Sequence, residues 1–489
     1  MKKILFVLAP LAMIAAFNVS ATEKTSAIPT KSVIHNNSKE KFELKEEMPK
    51  VTISGSVALY SNFCPDNNTY YTGENSPVQT KALDLKSTNI ADKDTSMTRF
   101  VAGTANILFS VLGQLKNGWK YGAKLDLYAM RGETKIDKMY GLFERDNFGS
   151  FLFGNTKGPE EIFLYSGQQL LGAASGFDGS ITGDMNQATG IINAIYMAGD
   201  TAKATKAVYY TPKIHGFQAG FSITPDTKHA GRSAKDWHTG ESDAGNDPGV
   251  YRHEKGCEKP SGRNNMVFGL KHEYEFNSDW KYVVAGLYLV EDTQAINVNN
   301  IYTGDVNYVT KDGVVDTAKI AGATSGKIKL RNASAYQLGA TVSYRSWSLG
   351  VGYLNNGKSR LPKSSEFKNA DGIAVIPGGF LVNKDGDAGQ AWNVGLKYQI
   401  NEKWSTSACY HRITRKVTST ESSSGNLFTF TVDYKVCSGL KVFTEIDYAS
   451  TKASDYACNV YNLVNYSVAK KAIKKQDTTA IIIGAKIEF

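Results

Sequence analysis

The chain is short of long apolar runs, of cysteine and of proline. Only five of its 489 residues are cysteine and 12 are proline. Its one extended apolar run, residues 4–17, is shorter than the roughly 20 residues that a membrane-spanning helix needs. The net charge of +9 is spread among mixed charges without a basic patch, so we predict no nucleic-acid partner.

The N-terminus has the pattern of a secretory signal. Lys2 and Lys3 precede the apolar run, and Val19-Ser20-Ala21 places small residues at a cleavage position. We therefore expect residues 1–21 to be a signal peptide and Thr22 to begin the mature chain. Residues 22–50 are polar and end in a charged run, which is typical of a linker or a short helical extension.

From Val51 onwards the sequence alternates between apolar and polar residues. The clearest example is Trp119–Met130, where aromatic and aliphatic residues occupy one face and Lys120, Lys124 and Asp126 the other. In lipid, only helices and closed barrels satisfy every backbone group. We therefore predict about sixteen strands of a transmembrane β-barrel, beginning near Val51, Arg99, Trp119, Lys135, Phe148, Ala204, Gly216, Asn265, Trp280, Ala333, Trp347, Gln390, Lys403, Asn426, Gly439 and Thr478.

Two further features agree with a barrel in an outer membrane. Short connections rich in Asn, Gly, Asp and Ser alternate with long polar ones, the rhythm that short periplasmic turns and long external loops produce. The final strand ends on Phe489, whose ring would lie at the membrane interface. We expect this strand to close the barrel against the strand that begins at Val51.

Six strand-like strings follow one another along the chain: MYGLFERDNFGSFLFGNTKG, AVYYTPKIHGFQAGFSIT, AYQLGATVSYRSWSLGVGYLN, AWNVGLKYQINEKWSTSACYHR, FTFTVDYKVCSGLKVFTEIDYAS and TTAIIIGAKIEF. In their order and spacing they resemble the strands of general bacterial porins, and the resemblance covers nearly all of residues 51–489. It implies an all-β, antiparallel, trimeric and water-filled barrel of sixteen strands in the Gram-negative outer membrane, surrounded by lipid and lipopolysaccharide. It also implies a third loop folded inward and a terminal Phe recognised by the barrel-assembly machinery.

The Gly-rich segment 157–201 is the candidate inward loop. Its acids Glu160, Glu161, Asp178 and Asp184 are the predicted acidic side of a pore constriction, facing a wall that carries charged residues. An alternative is that these acids only solvate an external loop. Strand parity predicts the wall residues Arg99, Lys120, Lys124, Asp126 and Arg131.

The function expected is passive diffusion of small hydrophilic solutes and ions, without a cofactor. The alternative is a porin-like barrel that serves mainly as a surface adhesin or antigen through its long loops. We expect no metal site, because the spacing of His229, His238, His253 and Cys257 does not fit a compact zinc pattern. An enzyme is disfavoured, because His411 is too far from Ser405 and Ser407 along a strand.

The five cysteines leave the pairing open. An odd number in an exported chain leaves at least one thiol without an intrachain partner. Cys409 and Cys437 lie in predicted strands and are interpreted as small apolar fillers, whereas Cys64, Cys257 and Cys458 lie in or beside loops and are better candidates for a bridge.

Overall fold

A computed structural model describes residues 49–64, 97–130, 133–172, 197–201, 203–226, 262–299, 305–309, 315–319, 325–363, 367–368, 374–375, 384–454 and 475–489. The predicted signal peptide, residues 1–21, and nearly all of the extension 22–50 lie outside these ranges. So do Cys257, Cys458 and the three histidines that were weighed as metal ligands. Within the described ranges, no helix has the length and apolar character required to cross a membrane.

Sixteen antiparallel strands form one closed barrel. Going round the barrel, β1 to β9 follow in order, then β14, β15, β18 and finally β19 to β22, which returns to β1. The barrel strands are β1 (Lys50–Cys64), β2 (Met97–Gln114), β3 (Lys120–Met130), β4 (Glu133–Arg145), β5 (Gly149–Asn155), β6 (Thr205–Tyr210), β7 (Phe217–Asp226), β8 (Gly262–Glu275), β9 (Trp280–Thr293), β14 (Ala333–Tyr344), β15 (Trp347–Asn355), β18 (Gln390–Gln399), β19 (Trp404–Lys416), β20 (Ser422–Cys437), β21 (Leu440–Lys452) and β22 (Lys475–Glu488).

The remaining elements lie in the connections. Three small two-stranded sheets pair β10 (Ile296–Asn299) with β13 (Ser325–Ile328), β11 (Asp305–Val309) with β12 (Val315–Lys319), and β16 (Phe367–Lys368) with β17 (Ala374–Val375). One short helix, α1 (Pro159–Ile162), and a 3-10 turn (Gly167–Leu170) follow β5. The predicted strand number is confirmed, and the strand starts agree to within about four residues.

The barrel carries its polar residues inside and its large apolar residues outside. Along β14, Leu338 is 53% exposed on the outer face, whereas the neighbouring inner residue Gln337 is buried. Along β21, Asp447 and Glu445 are buried on the inner face while Ile446 between them is exposed outside. This distribution is the reverse of a water-soluble domain and suits a wall with lipid on one side.

The short connections form tight turns at one end of the barrel. Aromatic residues beside these turns encircle the barrel at that end. In two of these turns an Asn side chain accepts the backbone N–H groups of following residues, as Asn277 does from Trp280 and Asn401 from Trp404. Cross-strand pairs such as Trp280 with Tyr344 and Trp404 with Tyr434 pack at 4.4 and 4.5 Å between ring centroids. This end is called the turn end below, and the opposite end the loop end.

A second set of exposed aromatics lies near the loop end. Tyr288 lies eight residues beyond Trp280 on β9, and both rings are exposed. At ~3.4 Å per residue and a strand tilt of ~40°, the two rings are about 21 Å apart along the barrel axis. That distance is close to the ~25 Å apolar band of outer-membrane barrels, so the two sets have the spacing of interfacial girdles.

The closing seam includes the last residue of the chain. Phe489 N–H donates to Gly55 O at 3.1 Å, and Gly55 N–H donates to Phe489 O at 2.9 Å. Both backbone groups of Phe489 are therefore part of the β1–β22 ladder, and the Phe489 ring is exposed. The predicted closure of the final strand on the strand beginning at Val51 is confirmed.

The two described thiols differ from each other. Cys409 is buried on the inner face of β19, as expected of a small filler, but Cys437 is exposed at the turn end of β20. The interpretation of Cys437 as a filler is wrong, because the strand reaches the turn at Gly439 before that residue can be covered.

Candidate functional site

The β5–β6 loop spans residues 156–204, and its described residues are 156–172, 197–201 and 203–204. Of these, residues 156–172 contact β7 and β8 through α1, then β15, β18 and β19 through the 3-10 turn. This described part therefore lies along the inner wall well beyond the strands to which the loop is covalently joined.

The loop begins with a buried ion pair and an aromatic anchor. Glu160 Oε1 lies 2.7 Å from Lys206 Nζ, with both side chains almost wholly buried, and it also accepts the backbone N–H of Gly158 at 3.2 Å. Phe163 is 1% exposed and packs against Tyr210 at 5.6 Å between ring centroids. Breaking a buried pair leaves an uncompensated charge, so this pair holds the loop to β6.

Three glycines on the inner wall allow the loop backbone to approach the strands. This glycine strip consists of Gly339 on β14, Gly350 on β15 and Gly395 on β18. A Cβ atom at Gly395 would lie 2.7 Å from Gly167 Cα, and one at Gly350 would lie 2.7 Å from Ser166 O. Real Cβ atoms do not approach other heavy atoms so closely, so the path of the loop depends on the missing side chains.

Polar side chains next to the glycine strip bind the loop backbone. Asn393 on β18 accepts the backbone N–H of Gly167 at 2.9 Å and donates to Ser166 Oγ at 3.3 Å. Further round the barrel, Thr431 on β20 accepts the N–H of Gly172 at 3.2 Å. Apart from the bond between Asn393 and the Ser166 hydroxyl, these wall residues bind backbone groups of the loop.

The returning part of the loop, residues 197–201, is named the return limb and is held in the same way. Ala198 N–H donates to Asn356 Oδ1 at 2.8 Å, and Gly199 O accepts from Asn265 Nδ2 at 2.7 Å. Gly199 has φ +93°, a conformation that side chains rarely adopt, and it packs on Leu289. The described parts of the loop are thus fixed at both ends.

A group of paired charges surrounds the start of the loop. Lys157 pairs with Glu161, Lys203 pairs with Asp137, and Lys138 lies 2.9 Å from Asp126. The pKa of Lys157 is lowered to about 8, first by burial and then by the positive charges of Lys203 and Lys138, which outweigh the opposing effect of Asp137 and Asp200. Lys157 is therefore a lysine that can lose its charge near neutral pH.

The predicted wall residues are placed at different depths. Asp126 is buried on the inner face and pairs with Lys138. Lys120 lies at the turn end, 3.3 Å from Glu144 and 3.5 Å from Asp146. Lys124 lies between these levels, opposite Tyr140. Because strands rise by ~3.4 Å per residue, Lys120 and Asp126 are about 20 Å apart along β3 and do not share one constriction level.

The other predicted site residues cannot be placed. Asp178, Asp184 and Arg131 lie outside the described residues, and for Arg99 only the backbone position in β2 is described. Of the four predicted loop acids, Glu160 and Glu161 therefore have described positions, and both are in ion pairs.

The residues that sequence reasoning missed are the ones that bind the loop backbone. Asn265, Asn356 and Asn393 are all buried, and each makes a hydrogen bond to the loop. The sequence signal that could have identified such residues is an amide side chain at an inner-face position, beside glycines on neighbouring strands. Gly350 and Gly395 face each other directly in the β15–β18 register.

The chemistry weighed for enzymes and metals has limited support in the described residues. Ser407 Oγ lies 2.6 Å from Thr431 Oγ1 and is part of the inner-wall polar network. No group of three metal-binding side chains occurs among the residues that the structure describes. In the segment 384–389, Asp387 accepts the N–H of Gly389 at 2.9 Å, so these residues form a turn before β18.

Comparison with known proteins agrees with this architecture. The model of the Gram-negative porin family matches residues 8–454. The chain belongs to the Gram-negative porin family. This places the barrel among outer-membrane channel proteins.

Several individual proteins are similar to this chain but add no finer assignment. An uncharacterized protein of Rickettsia felis is 29% identical over 33% of this chain and 36% of its own length. One from Rickettsia typhi is 25% identical over 59% of this chain and 58% of its own length. These matches span between about a third and three fifths of the relatives. The anion-selective porin from Comamonas acidovorans is 13% identical with a TM-score of 0.47, covering 90% of this chain and 100% of that one.

Proposed function

We propose that this barrel is a passive, water-filled channel for small hydrophilic solutes and ions, and that the β5–β6 loop forms its constriction. The observation that carries the proposal is the contact of this loop with the inner face of β14, β15 and β18 through the glycine strip. A loop that follows the inner wall reduces the cross-section available to solutes. Transport would then depend on width and fixed charge, without a chemical step.

The exposure of Ser56, Asn106 and Lys124 supports an open passage beside these residues of β1 to β3, although Ser110 and Asp126 on the same inner wall are buried. Inner residues of β7 and β8, such as Ser222 and Asn265, are buried. In contrast, Ser56 and Asn106, which face each other on β1 and β2, are only half-buried and hydrogen-bond at 2.6 Å. The predicted wall residue Lys124 on β3 is likewise half-buried. Solute would pass between this arc and the loop.

The charges at the start of the loop support weak ion selectivity. Glu160 is compensated by Lys206, and Glu161 by Lys157. In the proposed constriction, Asp178 and Asp184 would supply the remaining negative charge and Arg99, Lys124 and Arg131 positive charge along the wall, while Lys120 would act on solutes at the turn end. Opposed charges of this kind rank solutes by charge and dipole.

Assembly and location complete the proposal. We expect residues 1–21 to direct export and to be removed, the barrel to form homotrimers in contact with lipid and lipopolysaccharide, and Phe489 to be recognised by the barrel-assembly machinery. The exposed apolar outer face supports the lipid contact. The exchange of backbone hydrogen bonds between Phe489 and Gly55 supports a role of this terminus in closing the barrel.

Recording from the purified protein in a planar lipid bilayer tests the function. We expect stepwise increases of conductance in simple salt, in groups of three if the trimer inserts as a unit. A folded barrel, shown by its heat-dependent migration in SDS gels, that inserts into the bilayer without conducting would refute the channel. Liposome swelling with sugars of increasing size then measures the width of the passage.

A further inference from the structure

Glu291, at the loop end of β9, is the centre of a buried polar network. Its side chain is fully buried. Arg360 Nε and Nη2 donate to Oε1 at 3.0 and 2.8 Å, and Nη2 also reaches Oε2 at 2.9 Å. Asn265 Nδ2 donates to Oε2 at 3.0 Å, and Thr293 Oγ1 donates to Oε1 at 3.2 Å. Several donors fix this carboxylate in one position.

The same network reaches the return limb of the β5–β6 loop. Asn265 Nδ2, which donates to Glu291, also donates to Gly199 O at 2.7 Å. A Cβ atom at Gly199 would lie 3.5 Å from Glu291 Oε2, so the limb lies directly beside the carboxylate. If Glu291 is displaced, the side-chain amide of Asn265 is no longer fixed in the orientation in which it binds Gly199 O.

Arg360 connects the network to the connection after β15 at the loop end, the end expected to carry the external loops. It lies in the external segment 356–363, which follows β15, and its φ of +56° is unusual for a residue other than glycine. Asn356, at the start of the same segment, accepts the N–H of Ala198. The external segment thus contacts the return limb twice, directly through Asn356 and indirectly through Arg360, Glu291 and Asn265.

The external segment is itself attached to a second connection. Leu330 and Pro362 form an isolated bridge, and Lys363 N–H donates to Lys329 O at 2.9 Å. Leu361 and Leu330 are both buried at this contact. A force applied to the segment 356–363 would therefore act on a packed unit, which can transmit a displacement inward.

We propose that Glu291, Arg360 and Asn265 are positioning residues that couple the external segment 356–363 to the return limb, so that displacement of the segment changes the width of the pore. The inference rests on the proposed channel function. Arg360 is suited to this role, because its planar guanidinium binds the carboxylate with two nitrogens in a defined orientation.

Single-channel recording of Arg360→Gln, Glu291→Gln and the double variant tests the positioning role. Each single variant removes one charge of the buried pair, so we expect altered conductance and frequent closures, with the double variant closer to the wild type. Arg360→Lys keeps the charge without the fork and should restore only part of the behaviour. Asp292→Asn is the matched control, because this neighbouring acid binds Asn264 and Asn332 at the exposed rim.

A labelling experiment tests the coupling itself. Lys358 is exposed in the external segment, so Lys358→Cys, in a chain whose five native cysteines are replaced by serine, can be modified from outside with a bulky maleimide. We expect modification to change the conductance when Arg360 is present and to change it much less in Arg360→Gln. This labelling experiment does not use Glu291→Gln, so it still tests the coupling if that variant does not assemble.

The outcomes separate the two proposals. An inserted wild-type barrel that does not conduct refutes the channel. A conducting wild type in which Arg360→Gln and Glu291→Gln match Asp292→Asn, and in which labelling at position 358 has no effect, refutes the coupling alone. Lower heat resistance of the variants in SDS gels with unchanged conductance also refutes it, since that result indicates a purely structural role.

Discussion

Substitution of Gly395 by alanine is the most direct test of how the loop is held against the wall. The added Cβ would lie 2.7 Å from the Cα and carbonyl carbon of Gly167, whereas ordinary carbon–carbon contacts are ~3.5–4.0 Å. The loop or the strand must therefore move by about 1 Å. That movement also disturbs the 2.9 Å hydrogen bond from Gly167 to Asn393.

The magnitude follows from two opposing effects. Overpacking of this kind costs about 1–3 kcal/mol, while replacing glycine by alanine at a compatible backbone position recovers about 0.4–1 kcal/mol. The net cost of about 1–2 kcal/mol shifts the equilibrium towards a displaced loop by roughly 5- to 30-fold. We expect the barrel to assemble normally, because the strand backbone at Gly395 does not have positive φ.

Planar-bilayer recording measures the effect of Gly395→Ala. A displaced loop widens the passage, so we expect a larger and noisier single-channel conductance with unchanged heat resistance in SDS gels. Gly141→Ala on β4 is the control, because its Cβ would meet nothing closer than Gly122 O at 3.8 Å. If Gly395→Ala and Gly141→Ala conduct alike, the glycine strip does not hold the loop in its position.

Four further predictions concern charge and closure. Glu160→Gln should lower the yield of folded barrel, because removing one charge of the buried Glu160–Lys206 pair costs about 3–5 kcal/mol. Glu161→Gln, in a partly exposed pair, should spare folding and shift the reversal potential in a salt gradient towards anion preference. Since burial holds the pKa of Lys157 at about 8, its positive charge is present at pH 6 and lost above pH 9, so anion preference should fall with rising pH in the wild type but not in Lys157→Met. Deletion of Phe489 removes both hydrogen bonds to Gly55 and should reduce assembly, measured as heat-modifiable barrel, before it affects the conductance of the channels that form.

The sequence was sufficient to predict the barrel, because lipid on one face and water on the other require apolar and polar residues to alternate along each strand. Ile446 lies outside between Glu445 and Asp447, and the same order could be read directly from their chemistry. The even number of strands followed from counting such segments and from the alternation of short and long connections. Strand ends were less accurate, as at Ser422, where polar residues extend β20 beyond its predicted start at Asn426.

The way in which the loop is held could not be predicted, because its contacts join residues that are far apart in sequence. Gly167 and Asn393 are separated by 226 positions, and neither has an unusual local pattern. Likewise, the sequence alone did not show that Glu160 is paired, because its partner Lys206 lies on β6, with its Nζ 2.7 Å from Glu160 Oε1. The number of acids in a loop can be read from the sequence. The net charge that they contribute depends on which basic side chains the fold places beside them.

In the β5–β6 loop, the contacts that hold its position differ from the side chains that carry its charge. Its path is fixed by backbone contacts with the glycine strip and with Asn393, Asn356 and Asn265, which would bind many different loop sequences in the same way. The two acids of residues 156–172 are held in ion pairs near its start. Substitutions elsewhere in the loop can therefore change the charge presented to solutes without changing these described attachment points, so selectivity and loop position should respond to different mutations.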